Sequence, residues 1–183
     1  MNFFRTKIPD VVICEPQVYN DERGYFFESF KKNDLENFLG YKVNFCQDNE
    51  SKSDKGTLRG LHFQIEPFSQ AKLIRVVSGS VIDVAVDLRK NSDTFGQHVK
   101  VEISSSNKKQ LFIPKGFAHG FLSLENHTIF SYKVDNYYSA DHDRGIIYND
   151  KYLDINWSLS KTSLNLSSKD LDFPEFDFNK EYF

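Results

Sequence analysis

The stretch AKLIRVVSGSVIDVAVDL, residues 71–88, consists of two runs rich in aliphatic residues on either side of a single glycine, Gly79. In its second half, Ile82 shares one strand face with later aliphatic residues, while Asp83 and Asp87 point to the other face. A glycine flanked by serines is a turn signal between two such runs. The pattern therefore predicts an antiparallel strand pair over Ala71–Ser78 and Ser80–Leu88.

Many short runs of the same kind occur along the chain, with turn signals about every ten residues, which is typical of an antiparallel sandwich or barrel. The further predicted strands are Gly24–Phe30, Val43–Asp48, Leu58–Gln64, Gln97–Ile103, Gln110–Ile113, Gly120–Leu124 and His127–Val134. The sequence thus indicates an all-β fold.

Helices play a small part in this prediction. One short helix is expected over Asp34–Leu39, with Asn33 as its N-cap and Gly40 as its C-terminal stop. The more polar tail from Asn149 onward is expected to pack over the sheets, with a turn of helix around Ser168–Leu171.

Length and charge limit the class of protein. The 183 residues suit one domain over 1–183, and 23 Lys and Arg against 26 Asp and Glu give a net charge of -3. Without a basic patch, nucleic acid is not an expected partner. The apolar runs are too short for a membrane span, and the first residues lack a signal-peptide core. Cys14 and Cys46 are expected to be reduced thiols of a cytoplasmic protein.

The octet TLRGLHFQ, residues 57–64, places an arginine and a histidine inside an otherwise apolar strand. Such side chains are costly to desolvate, so they indicate either a pocket with an anion clamp and a base, or ordinary packing with satisfied partners. Strict alternation puts Arg59 and His62 on opposite faces, and both serve one cavity only if the strand bulges near Gly60.

Three other residues have two readings each. Lys72 shares a strand face with aliphatic residues and either meets an anion or reaches water from the strand end. Tyr132 is either a proton donor facing a cavity or plain packing, and Tyr137 or Tyr138 could stack on a planar base. Arg23, beside a glycine, either grips a phosphate or is a solvated loop arginine.

The segment IPKGFAHGF, residues 113–121, resembles the second motif of the cupin double-stranded barrel. In metal-binding cupins its histidine, here His119, is joined by a His-x-His pair and a glutamate. This chain has His62-Phe63-Gln64 at the corresponding strand, and no glutamate follows at the expected interval. Since zinc or iron needs at least three such ligands, no metal site is expected.

Several motifs together resemble the dTDP-4-dehydrorhamnose 3,5-epimerase family of nucleotide-sugar epimerases, nearly from end to end of the chain. They are DERGYFFES at 21–29, QDNESKS at 47–53, LRGLHFQ at 58–64, AKLIRV at 71–76, VDLRKNSDTFG at 86–96, IPKGFAHGF at 113–121, YKVDNYYS at 132–139 and LSSKD at 166–170. The resemblance implies a cupin jelly roll with short peripheral helices, no metal or organic cofactor, and a homodimer.

The resemblance also implies the roles of the reacting groups. His62 would be the general base, with Asp170 orienting its ring, and Tyr132 the acid on the opposite face of the sugar. Lys72 would steady the enolate oxygen, helped by His119.

The same resemblance implies how the substrate is held. Arg23, Arg59 and Lys169 would hold the diphosphate, and Tyr138 would stack on thymine. The residues around nucleotide and sugar would be Glu28, Gln47, Asp48, Asn49 and Asp143. Tyr148 stands where the family commonly has a tryptophan, a difference expected to be structural.

The implied activity is inversion at C3 and C5 of dTDP-4-keto-6-deoxy-D-glucose, giving dTDP-4-keto-L-rhamnose. One alternative is a mono-epimerase of the same fold, acting at C3 or C5 only. Two others are a metal-dependent cupin oxygenase or isomerase, and a sugar-binding cupin without turnover.

Overall fold

The computed structural model describes residues 1–159 and 163–183. Its strands are β1 (Asn2–Arg5), β2 (Val12–Glu15), β3 (Tyr19–Asp21), β4 (Gly24–Phe26), β5 (Gln47–Ser53), β6 (Leu58–Gln64), β7 (Lys72–Ser78), β8 (Ser80–Asp87), β9 (His98–Ser104), β10 (Gln110–Ile113), β11 (Phe117–Ser123), β12 (Thr128–Val134) and β13 (Asp143–Gly145). Its α-helices are α1 (Lys32–Leu39) and α2 (Ser168–Leu171).

Two antiparallel sheets face each other. The first sheet has the order β1-β2-β10-β7-β12-β5, and the second has the order β13-β6-β11-β8-β9. Between them lies a core of aliphatic and aromatic side chains, among them Ile74, Val76, Ala85 and Phe130. Inward-facing residues of both sheets thus form one layer, as in other β-sandwiches. The predicted jelly roll is confirmed.

The tail of the chain covers the outer face of the second sheet, as expected. Ile82 and Val84 of β8 point outward there and pack with Trp157 and Phe176 of the tail. Tyr148 is buried in the same cluster, and its carbonyl accepts a hydrogen bond from Trp157 Nε1 at 2.8 Å. Its expected structural role fits this position.

Helix α1 begins earlier than predicted. Lys31, which has extended backbone angles, is the N-cap, so Asn33 lies inside the first turn and does not cap the helix. Gly40 ends the helix as predicted, in the left-handed conformation with φ 81°, and its N–H donates to the Glu36 carbonyl. Leu35 is buried against the outer face of the first sheet.

Three predicted strands are wrong in their bounds. The strand expected over Gly120–Leu124 is β11, which begins at Phe117 and therefore includes His119. The expected strand Val43–Asp48 starts only at Gln47, and its apolar residue Val43 packs instead in the cluster beside α1. The strand that actually forms here, β5, is polar throughout, so the sequence has no apolar alternation that would predict it. The strand expected over Gly24–Phe30 ends at Phe26. The sequence also missed β1, β2, β3 and β13.

Strand β6 is irregular at Gly60, and this irregularity overrides the strict alternation expected there. His62 pairs with His119 of β11, but the register then shifts before Arg59 pairs with Phe121. Gly60 has φ +136°, and a Cβ at this position would lie 2.5 Å from the Cα of Gly120. The shift lets both Arg59 and His62 line one cavity.

Substituting Gly60 by alanine should therefore be more costly than the same change at a glycine of similar conformation in open space. Gly24 is the matched control, because it has φ +129° and a Cβ added there would meet nothing within 4 Å. Both changes carry a backbone penalty of about 1–3 kcal/mol, and crowding should add about 2 kcal/mol at Gly60 only. Urea unfolding would measure both, and equal losses would contradict the close-approach argument.

Candidate active site

A cavity of about 480 Å³ opens between the two sheets. The predicted site residues that line it are Arg59, His62, Lys72, His119, Tyr132, Lys169 and Asp170. Its walls come from β6 and β11 of the second sheet, from β5, β7 and β12 of the first, and from the α2 region. The fold thus brings together half of the residues implied by the resemblance.

His62 and Asp170 form a close contact in this cavity. His62 Nε2 lies 2.5 Å from Asp170 Oδ1, although 108 positions separate the residues. The Asp170 side chain is only 4% exposed, and that of His62 is 35% exposed. Ser167 Oγ accepts the Asp170 N–H and so caps α2. With Nε2 committed to the carboxylate, Nδ1 is the ring nitrogen left to accept a proton.

Lys72 is a buried cation on β7. Burial lowers the pKa of its ammonium group to about 8, and attraction to Asp143 and Asp83 opposes this shift. A group with this pKa is charged at neutral pH yet poorly hydrated, which suits it to meet negative charge that develops in the cavity. The alternative expectation, that Lys72 reaches water from the end of its strand, is wrong, because the residue is buried.

His119 has its own carboxylate partner. Its Nε2 lies 3.1 and 3.0 Å from the two oxygens of Asp83, which is fully buried. Burial lowers the pKa of His119, and the contact with Asp83 opposes that shift. The sequence placed Asp83 on a strand face but did not assign it to the site. The signal was available, because a carboxylate inside a buried strand needs a partner.

Tyr132 lies on the wall opposite His62, since β12 belongs to the first sheet and β6 to the second. Burial raises the pKa of its phenol, while Arg59 opposes the shift. Beside it, the rings of Phe130 and Phe121 stack at 4.0 Å with an interplanar angle of 9°. This aromatic pair lines the same cavity, and the sequence did not identify it as part of the site.

Asp143 is the centre of a polar rim at the edge of the cavity, which also includes Lys169 and Tyr138. It accepts hydrogen bonds from Lys169 Nζ at 2.5 Å and from the Tyr138 hydroxyl at 3.2 Å. The bond with Asp143 raises the pKa of Lys169. Tyr138 is exposed, so its ring face is open at this rim.

Five predicted residues lie apart from this cavity. Arg23 is 85% exposed and pairs with Asp21, and Glu28 is also exposed. Gln47, Asp48 and Asn49 are on β5, where Asp48 pairs with Lys133 and Gln47 donates to Asn49. Within a single chain, therefore, neither Arg23 nor Glu28 lies at the cavity.

Gln64, the residue at the usual place of a second metal-binding histidine, has a structural task. Its amide donates to the carbonyls of Phe68 and Tyr137, and its oxygen accepts from Ser139 N–H. Within residues 1–159 and 163–183, no three His, Cys, Asp or Glu side chains are grouped to hold a metal ion.

The comparisons with known proteins agree with this geometry. The family model described as dTDP-4-dehydrorhamnose 3,5-epimerase matches residues 5–177. The chain belongs to this family. It is 51% identical over 183 residues to the dTDP-4-dehydrorhamnose 3,5-epimerase of Shigella flexneri, covering 100% of this chain and 99% of the relative.

Two solved structures are informative about this epimerase family. An epimerase from Legionella pneumophila in complex with dTDP-4-keto-L-rhamnose has a TM-score of 0.90 and 44% identity, covering 96% of this chain and 98% of that chain. A 3'-monoepimerase from Streptomyces bikiniensis in complex with dTDP-quinovose has a TM-score of 0.88 and 28% identity, covering 93% and 86%. No helix in the described part of the chain is long and apolar enough to span a membrane.

The lowered pKa of Lys72 predicts an alkaline limb for this epimerase. The resemblance implies that Lys72 stabilises the enolate, which requires the charged ammonium group present below pH 8, so kcat/KM should fall as the pH rises through about 8. Lys72→Met should reduce kcat by about 100- to 1,000-fold and remove this limb. Lys100→Met, an exposed lysine of β9, is the control. A limb unchanged in Lys72→Met would contradict the assignment.

Proposed function

We propose that this epimerase inverts C3 and C5 of dTDP-4-keto-6-deoxy-D-glucose, giving dTDP-4-keto-L-rhamnose for dTDP-L-rhamnose synthesis. The observation that carries the proposal is an Asp-paired imidazole and a partly buried tyrosine on facing sheets of one cavity. Relatives about 50% identical bear the name of this activity.

The first half of the reaction is removal of a carbon-bound proton. The C4 ketone acidifies the hydrogens on C3 and C5, and His62 Nδ1 takes one of them as Asp170 stabilises the resulting imidazolium. The electron pair moves to the C4 oxygen, where charged Lys72 stabilises the enolate more than the ketone. His119 of β11 can donate to the same oxygen from Nδ1 only as the imidazolium, because its Nε2 contacts Asp83.

The second half delivers a proton from the other face. Tyr132 occupies the opposite wall from His62, and its raised pKa keeps the phenol protonated until the carbanion needs a proton. Return of the proton by His62 would restore the original configuration. Inversion therefore requires His62 on one wall of the cavity and Tyr132 on the other.

The remaining cations and the rim hold the nucleotide. Arg59 and Lys169 line the cavity and suit the diphosphate, for which a guanidinium can provide paired hydrogen bonds. Asp143 holds Lys169 and Tyr138 together at the rim, which leaves the exposed tyrosine ring to stack on thymine. The roles of Gln47, Asp48 and Asn49 stay predictions of the resemblance, because these residues of β5 lie outside the cavity.

Isotope exchange tests this proposal directly. In deuterated water, the enzyme should incorporate deuterium at both C3 and C5 of dTDP-4-keto-6-deoxyglucose, as located by NMR. Label at one carbon only would support the mono-epimerase alternative. No label at either carbon would overturn the assignment to this substrate.

Two variants separate the base from the acid within the same experiment. His62→Ala should lower exchange at both carbons by about 100- to 10,000-fold, because it removes the base. Tyr132→Phe should impair net inversion more than exchange, because His62 still abstracts and returns the proton. Equal losses of exchange and inversion in Tyr132→Phe would count against its role as the acid.

A homodimer would explain the placement of Arg23. The β3–β4 hairpin pairs with neither sheet and exposes Arg23 together with Tyr25 and Phe26. A second copy of the chain could receive this hairpin, so that Arg23 and Glu28 act at the partner's cavity. We place the enzyme in the cytoplasm, where its free Cys14 and Cys46 suit a reducing compartment.

Mixing two inactive variants tests this arrangement. After subunit exchange, Arg23→Ala and His62→Ala chains in equal amounts should recover about a quarter of wild-type activity at low substrate, because half of the dimers are mixed and one of their two cavities is complete. A mixture of His62→Ala with Tyr132→Phe should recover none, since both residues act in one cavity. No recovery in the first mixture would exclude action of Arg23 across subunits.

A further inference from the structure

The His62 ring contacts an aromatic ring as well as a carboxylate. The centroid of the Phe173 ring lies 5.4 Å from that of His62, and the two ring planes meet at 72°. Phe173 follows α2 by two residues, so the segment that supplies Asp170 also supplies this ring. His62 is therefore in contact with two side chains of one short segment.

The space for the Phe173 ring exists because residue 145 is a glycine. Gly145 pairs with His62 in the β13–β6 register. A Cβ on Gly145 would lie 2.4 Å from two carbons of the Phe173 ring. Gly145 is not among the positive-φ glycines, so its conformation alone does not require glycine. Glycine is required at this position because the Phe173 ring occupies the space that a Cβ would need.

The backbone around Phe173 is tied at both sides. Asp172 N–H donates to the carbonyls of Ser168 and Lys169, which closes α2, and the Pro174 carbonyl accepts from Ile147 N–H at 2.9 Å. These bonds couple the ring to α2 on one side and to the chain after β13 on the other. A displaced ring would therefore shift the Asp170 carboxylate together with the space beside His62.

We propose that Phe173, seated in the space left by Gly145, is a positioning residue that holds the His62 ring toward Asp170. The ring limits rotation of the imidazole and shields its hydrogen bond to the carboxylate from water. It thereby keeps Nε2 on Asp170 and presents Nδ1 to the substrate. The effect on turnover rests on the proposed function, because His62 limits the rate only if it is the base.

A double-mutant cycle tests the kinetic part. Phe173→Ala removes the ring and Gly145→Ala displaces it, so each should lower kcat by about 10- to 100-fold while KM changes less than about threefold. Both changes act through one ring, so the double variant should lose no more than Phe173→Ala alone. Losses that multiply would overturn the proposal. Phe173→Leu serves where Phe173→Ala does not fold, with a smaller loss expected.

The tautomer of the His62 ring in the ligand-free protein is a second readout. It would not change if Phe173 had only a structural role. Heteronuclear NMR through the carbon-bound ring protons should show the Nε2–H tautomer for His62, assigned by its loss in His62→Ala. Phe173→Ala should give a mixture of tautomers. Phe178→Leu, which changes an exposed ring packed on Phe95, should leave both tautomer and kcat unchanged.

The two readouts distinguish failure of this inference from failure of the proposed function. A wild-type enzyme without exchange at C3 or C5 would overturn the function, and a changed tautomer in Phe173→Ala would still support the positioning role. A single Nε2–H tautomer and wild-type kcat in Phe173→Ala would overturn the positioning role alone.

Discussion

The active-site cavity depends on the close approach of two backbones at Gly60 and Gly120. There is no room for a Cβ between β6 and β11 at this point, and the register shifts across it. The shift places Arg59 on the same side of the sheet as His62, so one strand directs both a guanidinium group and an imidazole into the cavity. It also sets His62 directly opposite His119. A regular strand would have directed one of these groups away from the substrate.

Around this point, each buried ionisable side chain has a compensating neighbour. Asp83 is fully buried and contacts His119, and Asp170 is nearly so and contacts His62. Lys72 is attracted by Asp83 and by Asp143. Such pairing reduces the desolvation cost that otherwise excludes charge from a core. The cavity can therefore hold an ammonium group and two imidazoles beside a core of aliphatic and aromatic side chains.

The sequence predicted those parts of the fold that have a regular hydrophobic period. Strand β8 was found within one residue because its faces differ sharply, whereas β5 was not, because it is polar on both faces. Pairing of His62 with Asp170 came only from the family resemblance, since nothing local links residues 108 positions apart. The contact of Gly145 with Phe173 had no local signal either, because a missing side chain is informative only beside the ring that fills its place.

The carboxylate that holds His62 comes from the last part of the chain. Both sheets are complete in sequence by Gly145, whereas Asp170 lies on α2, in the tail that follows. The strands alone thus supply the imidazole but not its partner Asp170. A substitution in the tail, far in sequence from every strand, can therefore act on the proposed base as directly as one in β6.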